Sequence, residues 1–291
     1  MTLPKIGFIG TGVMGKSMVG HLMAAGYSLM VYNRTKAKAQ ELLDRGAVWA
    51  DTVADMAAQC NIVISIVGYP QDVEATYLGD AGLIANAQAG TILIDMTTSS
   101  PMLAKKLYKA GLEKGVKVLD APVSGGDVGA RQAKLSIMVG GDEATFKEAL
   151  PVFECLGNNI VLQGAIGAGQ HTKMCNQIAI AANMMGVCEA MAYAKKAGLD
   201  PEKVLISIAT GAAASFSLSN LAPRMLAGDT APGFYVKHFI KDMKIAIESA
   251  EEMGLMVPGL TLAKSLYEKL AAAGHENSGT QALFTLYMGQ K

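Results

Sequence analysis

The first half of the chain alternates short apolar runs, rich in β-branched residues, with segments in which apolar residues recur at helical spacing. Such alternation is typical of βαβ units, which build a mainly parallel sheet covered by helices on both faces. We therefore predict an α/β architecture for this half. The predicted strands are KIGFIG (5–10), SLMVYN (28–33), NIVISIV (61–67), TILIDM (91–96), KVLDAPV (117–123), LSIMVGG (135–141) and NIVLQG (159–164).

After residue 164 the strand pattern stops and helical patterns follow. Residues 170–196 contain no proline and one glycine, which predicts a helix about 40 Å long at 1.5 Å per residue. Asn176, Gln177, Asn183 and Glu189 interrupt its apolar surface, so this segment is a poor membrane span. A helix that is apolar nearly all round is expected to be buried by neighbouring helices or by a second subunit.

The remaining patterns predict an all-α second domain. Gly254 and Gly274 are suited to end two of its helices. With 291 residues, the chain is long enough for two domains of roughly 100–200 residues each. We place the first domain at residues 1–164 and the second at residues 165–291. The further predicted helices cover residues 201–210, 216–226, 236–253, 258–273 and 278–288.

A GxGxxG motif follows the first predicted strand and opens a helical pattern. Gly10 permits the tight turn, Gly12 lets the backbone approach a pyrophosphate, and Gly15 allows close packing of helix on strand. At the first βα junction, this motif favours a Rossmann dinucleotide site over an ordinary glycine-rich turn or the nucleotide site of a methyltransferase. The predicted cofactor-binding loop comprises Gly10, Thr11, Gly12, Val13, Met14 and Gly15.

The second predicted strand ends in VYNRT, where a site that prefers NAD(H) would carry an acidic residue against the ribose hydroxyls. Here Asn33 can bond the ribose, Arg34 can pair with a 2′-phosphate, and Thr35 adds a hydroxyl. The pattern therefore favours NADP(H), with NAD(H) still possible. A solvated arginine in a βα loop is the alternative interpretation of Arg34.

Charge and composition narrow the class of partner. Twenty-five Lys and Arg balance 25 Asp and Glu, and no basic run or stripe is present, so nothing points to nucleic acid. Small molecules are the expected partners. The opening MTLPKIGFIG runs straight into a strand without the features of a signal peptide, which predicts a cytoplasmic protein that is not bound to a membrane.

The cysteines and histidines give little support for a metal or disulfide site. The four cysteines are far apart without CxxC spacing, so we expect buried thiols in a reducing compartment. The four histidines are scattered without HxxE or HExxH spacing, and no metal is expected. The cysteines are Cys60, Cys155, Cys175 and Cys188.

Four blocks occur in one order along the chain: GFIGTGVMG, DAPVSGG (120–126), GAGQHTKMCNQ (167–177) and FYVKHFIKD (234–242). Together they resemble the β-hydroxyacid dehydrogenase family, which includes 3-hydroxyisobutyrate dehydrogenase and the tartronate and glyoxylate/succinic semialdehyde reductases. The resemblance implies a Rossmann domain followed by a helical domain, with the active site between them. It further implies a small carboxylate substrate.

The resemblance also implies roles for individual residues. It makes Lys173 the catalytic lysine, lets Ser124, Gly125 and Gly126 bind the substrate carboxylate, and places Lys241 along the site. Thr98 is assigned to the nicotinamide and substrate side, where simple helix capping is the alternative. The remaining proposed cofactor contacts are Gly68, Tyr69 and Pro70 after the third strand, together with Phe234 and Lys241.

Lys173 also stands out on physical grounds, because lysine is hard to bury at the start of an apolar helix. Within about the first turn, the positive end of the helix dipole disfavours its ammonium form, and burial and Lys241 would act in the same direction. We therefore predict a lowered pKa for Lys173, suited to proton transfer. Read alone, it could equally be a lysine extending to solvent at a helix start.

Two amides follow Lys173 at helical spacing. Asn176 at +3 and Gln177 at +4 both face roughly its side of the helix, so either could orient the substrate. We favour the shorter Asn176. The predicted enzyme interconverts a small β-hydroxy acid and its semialdehyde with NADP(H), as a homodimer or homotetramer. A non-catalytic NADP(H)-binding regulatory protein is the alternative.

Overall fold

The computed structural model describes residues 3–289. The described chain forms two compact units that divide between Lys173 and Met174. Within residues 3–289, every helix is too short or too polar to span a lipid bilayer.

The first unit is built on one nine-stranded sheet with the order β3-β2-β1-β4-β5-β6-β8-β7, and β9 pairs with β8. Strands β1 to β6 run parallel to one another, whereas β8 runs antiparallel to β6 and β7. The strands are β1 (Ile6–Ile9), β2 (Leu29–Tyr32), β3 (Val48–Trp49), β4 (Ile62–Ser65), β5 (Ile92–Asp95), β6 (Lys117–Asp120), β7 (Val123–Ser124), β8 (Leu135–Gly140) and β9 (Gly157–Gly164).

Helices cover both faces of this sheet, which explains why β1, β4 and β5 are buried at every position. A 3₁₀ helix also lies at Lys36–Ala39. The helices are α1 (Val13–Ala24), α2 (Gln40–Asp44), α3 (Val53–Gln59), α4 (Pro70–Tyr77), α5 (Leu83–Asn86), α6 (Pro101–Glu113), α7 (Gly126–Arg131) and α8 (Glu143–Glu154).

The strand order reverses at β1, which lies between β2 and β4. The loops after β1 and β4 therefore leave the sheet towards opposite faces and open a crevice at its carboxyl edge, the usual ligand site of such sheets. This edge carries every polar residue of this unit that was predicted to serve the site from a strand end. The α/β fold with a Rossmann-type first half is as predicted.

Two details of the sheet differ from the prediction. Strand β3 was not predicted, because two residues are too few to give a periodic signal. The run KVLDAPV forms two strands, β6 and β7, instead of one. Pro122 lies in the break, where its carbonyl accepts from Met138 N at 3.0 Å and it has no N–H to donate.

The second unit is helical, and α9 continues into it from the first. Its core contains Met184, Phe239 and Tyr267, all buried. Short π-helical turns occupy Ser217–Leu221 and Ala271–His275, and a 3₁₀ helix occupies Thr280–Leu283. The helices are α9 (Ala168–Lys196), α10 (Pro201–Ile208), α11 (Ala222–Leu226), α12 (Val236–Glu252), α13 (Pro258–Leu270) and α14 (Phe284–Gly289).

Most residues of helix α9 are buried or half-buried, and the helix exposes a stripe of residues at spacings of three and four. The stripe comprises Cys175, Ala179, Ala182, Gly186, Glu189 and Tyr193.

The four cysteines are free thiols in different environments. Cys60 and Cys188 are buried, and burial raises the pKa of Cys60 to about 11. The expectation that all four are buried is wrong for Cys155, which is partly exposed at the end of α8, and for Cys175, on the exposed stripe of α9.

Candidate active site

The glycines of the first βα loop have three distinct local requirements. Gly10 has φ +98°, and a Cβ there would overlap the carbonyl oxygen of Ile66. A Cβ at Gly15 would overlap the carbonyl oxygen of Gly10, so the absent side chain lets α1 pack on the strand. A Cβ at Gly12 would meet no described atom within 4 Å. Of these three glycines, Gly12 alone faces open space that a ligand could use.

The same loop offers groups suited to an anionic ligand. Helix α1 begins at Val13, and no side chain of the described residues caps its first N–H groups. The hydroxyl of Thr11 is buried and finds no hydrogen-bond partner within residues 3–289. Uncapped N–H groups at a helix start favour phosphate, and a buried hydroxyl without a partner is costly. This loop therefore fits the pyrophosphate of a dinucleotide.

The loop after β2 carries Asn33, Arg34 and Thr35. The Asn33 amide donates to the Thr35 carbonyl at 2.9 Å, which shapes the turn. The side chain of Arg34 is 82% exposed, and its Nη1 lies 3.2 Å from Oδ1 of Asp72, in the first turn of α4. Arg34 thus spans from the loop after β2 to the helix after β4 and still presents most of its guanidinium to solvent.

The loop after β4 contains Gly68, Tyr69 and Pro70. Tyr69 precedes α4, and Pro70 occupies its first position, where its missing N–H costs nothing. The backbone N–H of Val67 donates to the hydroxyl of Thr97 at 3.0 Å. This loop is thereby joined to the loop after β5.

A buried polar cluster lies beneath the loop after β5. Oδ1 of Asp95 accepts from the Ser65 hydroxyl and from Thr97 N, both at 3.0 Å, and Ser65 also bonds the Tyr77 hydroxyl at 2.9 Å. Burial, with a smaller contribution from Asp120, raises the pKa of Asp95 to about 6. Thr98 is half-buried between the buried Thr97 and Ser99. The cap of α6 is Ser100, so capping does not account for Thr98.

The raised pKa of Asp95 makes stability depend on pH. The folded protein binds this proton more tightly than the unfolded chain, so the free energy of unfolding falls as pH rises from about 4 to about 6. Above about pH 6, where Asp95 is ionised, its burial lowers the free energy of unfolding by about 3 kcal/mol. Asp95→Asn keeps the Oδ1 acceptor, and we expect it to raise Tm by several degrees at pH 8 and by about half as much at pH 5. An equal Tm difference at both pH values would contradict this assignment.

Ser124 ends β7, and the next two glycines adopt backbone conformations that favour glycine. Gly125 has φ +129° and Gly126 has φ +61°, immediately before and at the start of α7. A hydroxyl followed by unobstructed backbone N–H groups is a workable carboxylate cradle. Lys173 is only 7% exposed, and its Nζ donates to the carbonyl of Val123, next to Ser124, at 2.8 Å.

Helix α9 begins at Ala168, two residues earlier than predicted, so Lys173 lies in its second turn rather than the first. The first N–H groups are not left open, because Gly167 N and Gln170 N each donate to a carboxylate oxygen of Asp120 at 2.7 Å. The expectation that Lys173 lies in the first turn is therefore wrong. The lowered pKa stays a prediction, and its support now comes from burial rather than from the helix dipole.

In the second unit, the two amides after Lys173 differ in environment. Gln177 is fully buried, its Nε2 donates to Oδ2 of Asp242, and its Oε1 accepts from the Asn176 amide, both at 2.7 Å. Asn176 is half-buried. Nζ of Lys241 lies 2.8 Å from Oδ1 of the buried Asp242. Gln177 thus uses both amide atoms within the protein, whereas Asn176 remains partly accessible.

The other residues selected in FYVKHFIKD lie at the start of α12. Phe234 precedes the helix, and the centroid of its ring lies 5.4 Å from that of Phe239. Lys237 donates to Asn277 at 2.7 Å, as expected of a surface lysine. Burial and the neighbouring Lys241 lower the pKa of His238, which favours its neutral form.

Three residues with structural roles near these groups were assigned none by the sequence analysis: Asp120, Gln170 and Asp242. Asp120 lies at the end of β6, a position that could have been recognised. Gln170 and Asp242 look like ordinary helical polar residues. Among residues 3–289, no three His, Cys, Asp or Glu side chains are grouped so as to hold a metal ion.

Both halves of the chain match families of nicotinamide-dependent dehydrogenases. Residues 5–165 match the NAD-binding domain of 6-phosphogluconate dehydrogenase, and residues 167–287 match the NAD-binding domain of NADP-dependent 3-hydroxyisobutyrate dehydrogenase. An uncharacterized oxidoreductase of Bacillus subtilis is 61% identical, covering 97% of this chain and 98% of the relative. The 2-hydroxy-3-oxopropionate reductase of Escherichia coli is 39% identical, covering 96% and 95%.

A solved structure shows the same fold along the whole length. The 3-hydroxyisobutyrate dehydrogenase of Mycobacterium tuberculosis, with L-serine, superimposes with a TM-score of 0.90 at 28% identity, covering 98% of this chain and 99% of the other. The relatives with named activities are dehydrogenases and reductases, and they give no support to a non-catalytic nucleotide-binding protein. The chain is an NAD(P)-dependent oxidoreductase that belongs to the β-hydroxyacid dehydrogenase family.

Proposed function

We propose that the protein interconverts a short semialdehyde and its β-hydroxy acid with NADP(H), and that Lys173 transfers the proton. The substrate class is that of 3-hydroxyisobutyrate and tartronate semialdehyde, and it extends to glyoxylate and succinic semialdehyde, whose hydroxyl groups form at the α and γ positions. The observation that carries the proposal is the buried amine of Lys173, held at the Val123 carbonyl beside Ser124. A proton donor next to a carboxylate cradle suits a substrate with a carboxylate and a nearby carbonyl.

The residues that would hold the dinucleotide lie along the carboxyl edge of the sheet. A bound nicotinamide supplies the hydride for reduction and accepts it in oxidation. The first βα loop would bind the pyrophosphate, Asn33 and Thr35 the ribose, and Gly68, Tyr69 and Pro70 would line the same crevice. Thr98 and Phe234 are proposed further contacts.

Lys173 acts on the reacting oxygen. In reduction its ammonium gives a proton to the oxygen that was the carbonyl oxygen, and in oxidation its neutral amine accepts the proton of the hydroxyl. The positive charge also stabilises negative charge that develops on this oxygen. Because Lys173 is almost fully buried, few water molecules compete for that proton.

The carboxylate of the substrate is proposed to bind at Ser124, Gly125 and Gly126. The Ser124 hydroxyl and the following N–H groups can each donate to one oxygen. Asn176 is the proposed orienting amide, because Gln177 is committed to Asp242 and Asn176. Lys241 is a further proposed substrate and cofactor contact, held beside Asp242.

The proposed preference for NADP(H) depends on Arg34. Its guanidinium is charged at any working pH and mostly exposed, so it can pair with a 2′-phosphate. The match of residues 167–287 to an NADP-dependent dehydrogenase supports this preference.

The glycine loop gives a test that separates ligand binding from folding. Gly12→Ala puts a methyl group into open space, so we expect an unchanged Tm and a cofactor affinity about tenfold lower, because loss of one backbone bond to phosphate costs about 1.5 kcal/mol. Gly15→Ala should instead lower Tm, because its methyl group overlaps Gly10. Isothermal titration with NADPH and a melting curve measure both. Unchanged affinity in Gly12→Ala would refute the pyrophosphate assignment.

The reaction itself is tested with a panel of short semialdehydes and hydroxy acids, each with NADPH or NADH and the corresponding oxidised forms. We expect cofactor-linked absorbance changes with at least one pair, and a higher kcat/KM with NADP(H). If no member of the panel changed the absorbance while NADPH still bound, the proposed activity would be wrong.

We further propose that the protein is a homodimer or homotetramer. The exposed stripe of α9 is made mainly of small and apolar residues, a surface suited to a second copy of the chain. Sedimentation that shows a monomer at micromolar concentration would contradict this proposal.

A further inference from the structure

The helix that carries Lys173 is tied to two strand ends of the sheet by side chains outside the proposed catalytic set. We propose that Gln170 is a positioning residue, which joins the loop of residues 97–99 to the start of α9 and so holds Lys173 in place for proton transfer. The inference rests on the proposed function, since it assigns Gln170 an effect through Lys173.

The first tie is the attachment of the helix start to β6. Asp120 accepts from Gly167 N and Gln170 N, each at 2.7 Å, with both carboxylate oxygens. The approach is close enough to require glycine on both sides. A Cβ at Gly140 would overlap Oδ1 of Asp120, and a Cβ at Gly169 would lie 2.7 Å from the Asp120 carbonyl oxygen. The start of α9 is therefore fixed at the end of β6.

The second tie is made by Gln170 itself. Its side chain is fully buried, its Oε1 accepts from Ser99 N at 2.9 Å, and its Nε2 donates to the Thr97 carbonyl at 2.8 Å. One amide therefore satisfies a backbone donor and a backbone acceptor on either side of Thr98. Since β5 and β6 are neighbours, with Asp95 paired to Asp120, both ties lie at the same edge of the sheet.

The connection continues to the loop after β4. The Thr97 hydroxyl accepts from Val67 N at 3.0 Å, directly before Gly68. A chain of bonds thus runs from the proposed cofactor loop through Thr97 to Gln170. Thr97 and Gln170 are both buried, so water does not readily replace the bond between them.

Lys173 follows Gln170 by three residues and so lies on the same face of α9, one turn further on. If the Gln170 amide is lost, the loop and the helix can shift relative to each other. A displacement of about 1 Å between reacting groups can cost on the order of 100-fold in rate. The expected deficit is therefore in kcat.

The decisive variant is Gln170→Met, which keeps the length and volume of the side chain but makes neither bond. We expect kcat to fall about 10- to 100-fold, with the Kd for NADPH changed less than about threefold. The matched control is Asn86→Leu. The Asn86 amide also makes two bonds to backbone, donating to the Asp80 and Gly82 carbonyls at 2.8 Å, but it lies before the amino end of β5. This control should lose some stability and keep its kcat.

A double-mutant cycle with Lys173→Ala separates positioning from a general structural role. If Gln170 acts through Lys173, adding Gln170→Met to Lys173→Ala should lower the residual rate no further, because the affected group is already absent. An equal loss in both backgrounds would overturn the inference. A kcat for Gln170→Met within about threefold of wild type, with the kcat of Lys173→Ala lowered at least 100-fold, would also overturn it.

Two further outcomes keep the test decisive. If Gln170→Met does not fold, Asp120→Asn replaces it, because this change loosens the same helix start from β6. We expect the same loss of kcat, and no further loss when Asp120→Asn is combined with Lys173→Ala. A wild-type kcat in Asp120→Asn would overturn the inference. If Lys173→Ala itself retained wild-type turnover, the proposed function would be wrong, and the role of Gln170 would fall with it.

Discussion

Lys173→Ala is expected to lower kcat by about 10²- to 10⁴-fold, the usual contribution of a positioned proton donor, and the loss of positive charge should add to the deficit. The Kd for NADPH should stay nearly unchanged, because the first βα loop and Arg34 are proposed to hold the cofactor. Steady-state kinetics and NADPH titration measure both quantities. An increase in Kd of similar size would mean that Lys173 serves cofactor binding instead.

Two variants control for charge and for folding. Lys173→Arg keeps the positive charge but cannot release a proton at working pH, so it should not restore turnover. Lys264→Ala removes a lysine that pairs with Glu268 on α13, and it should keep kcat. A kcat of Lys173→Arg within a few-fold of wild type would mean that Lys173 supplies only a fixed positive charge.

Arg34→Ala is expected to raise the KM for NADPH about 10- to 100-fold and the KM for NADH far less. The lost contact to a 2′-phosphate is charge-assisted and contributes about 1.5–3 kcal/mol. Because Arg34 is mostly exposed, the difference should be largest at low ionic strength. The ratio of kcat/KM with the two cofactors is the measurement.

Arg45→Ala is the matched control for Arg34. Arg45 follows α2 and precedes β3, at the amino edge of the sheet, so its removal should leave the cofactor ratio unchanged. If Arg34→Ala lowered kcat/KM equally with NADPH and with NADH, Arg34 would not be the partner of the 2′-phosphate.

Much of the fold could be predicted because it depends on local patterns. The alternation of strands and helices and the glycines at 10, 12 and 15 are visible in single segments of the sequence. The φ of Gly10 and the close packing at Gly15 are those that a first βα loop demands. Strand β3 could not be predicted, because its two residues depend on the pairing with β2.

The candidate site was less predictable wherever it depends on contacts distant in sequence. Asp120 lies 50 residues from Gln170, and Gln170 lies 71 residues from Ser99. A single sequence carries no signal for such pairs. The buried Asp95 likewise gains its raised pKa only when the sheet encloses it. Gln177 was selected for its spacing alone, and its commitment to Asp242 appears only in the folded helices.

The pH dependence of hydroxy-acid oxidation shows whether Lys173 transfers the proton. The neutral amine must accept the proton of the alcohol, so wild-type kcat/KM should fall as pH decreases and Lys173 becomes protonated. The residual activity of Lys173→Ala should lack this decrease. If kcat/KM of Lys173→Ala fell in the same way as pH decreased, another group would be the base, and Lys173 would not be the residue that transfers the proton.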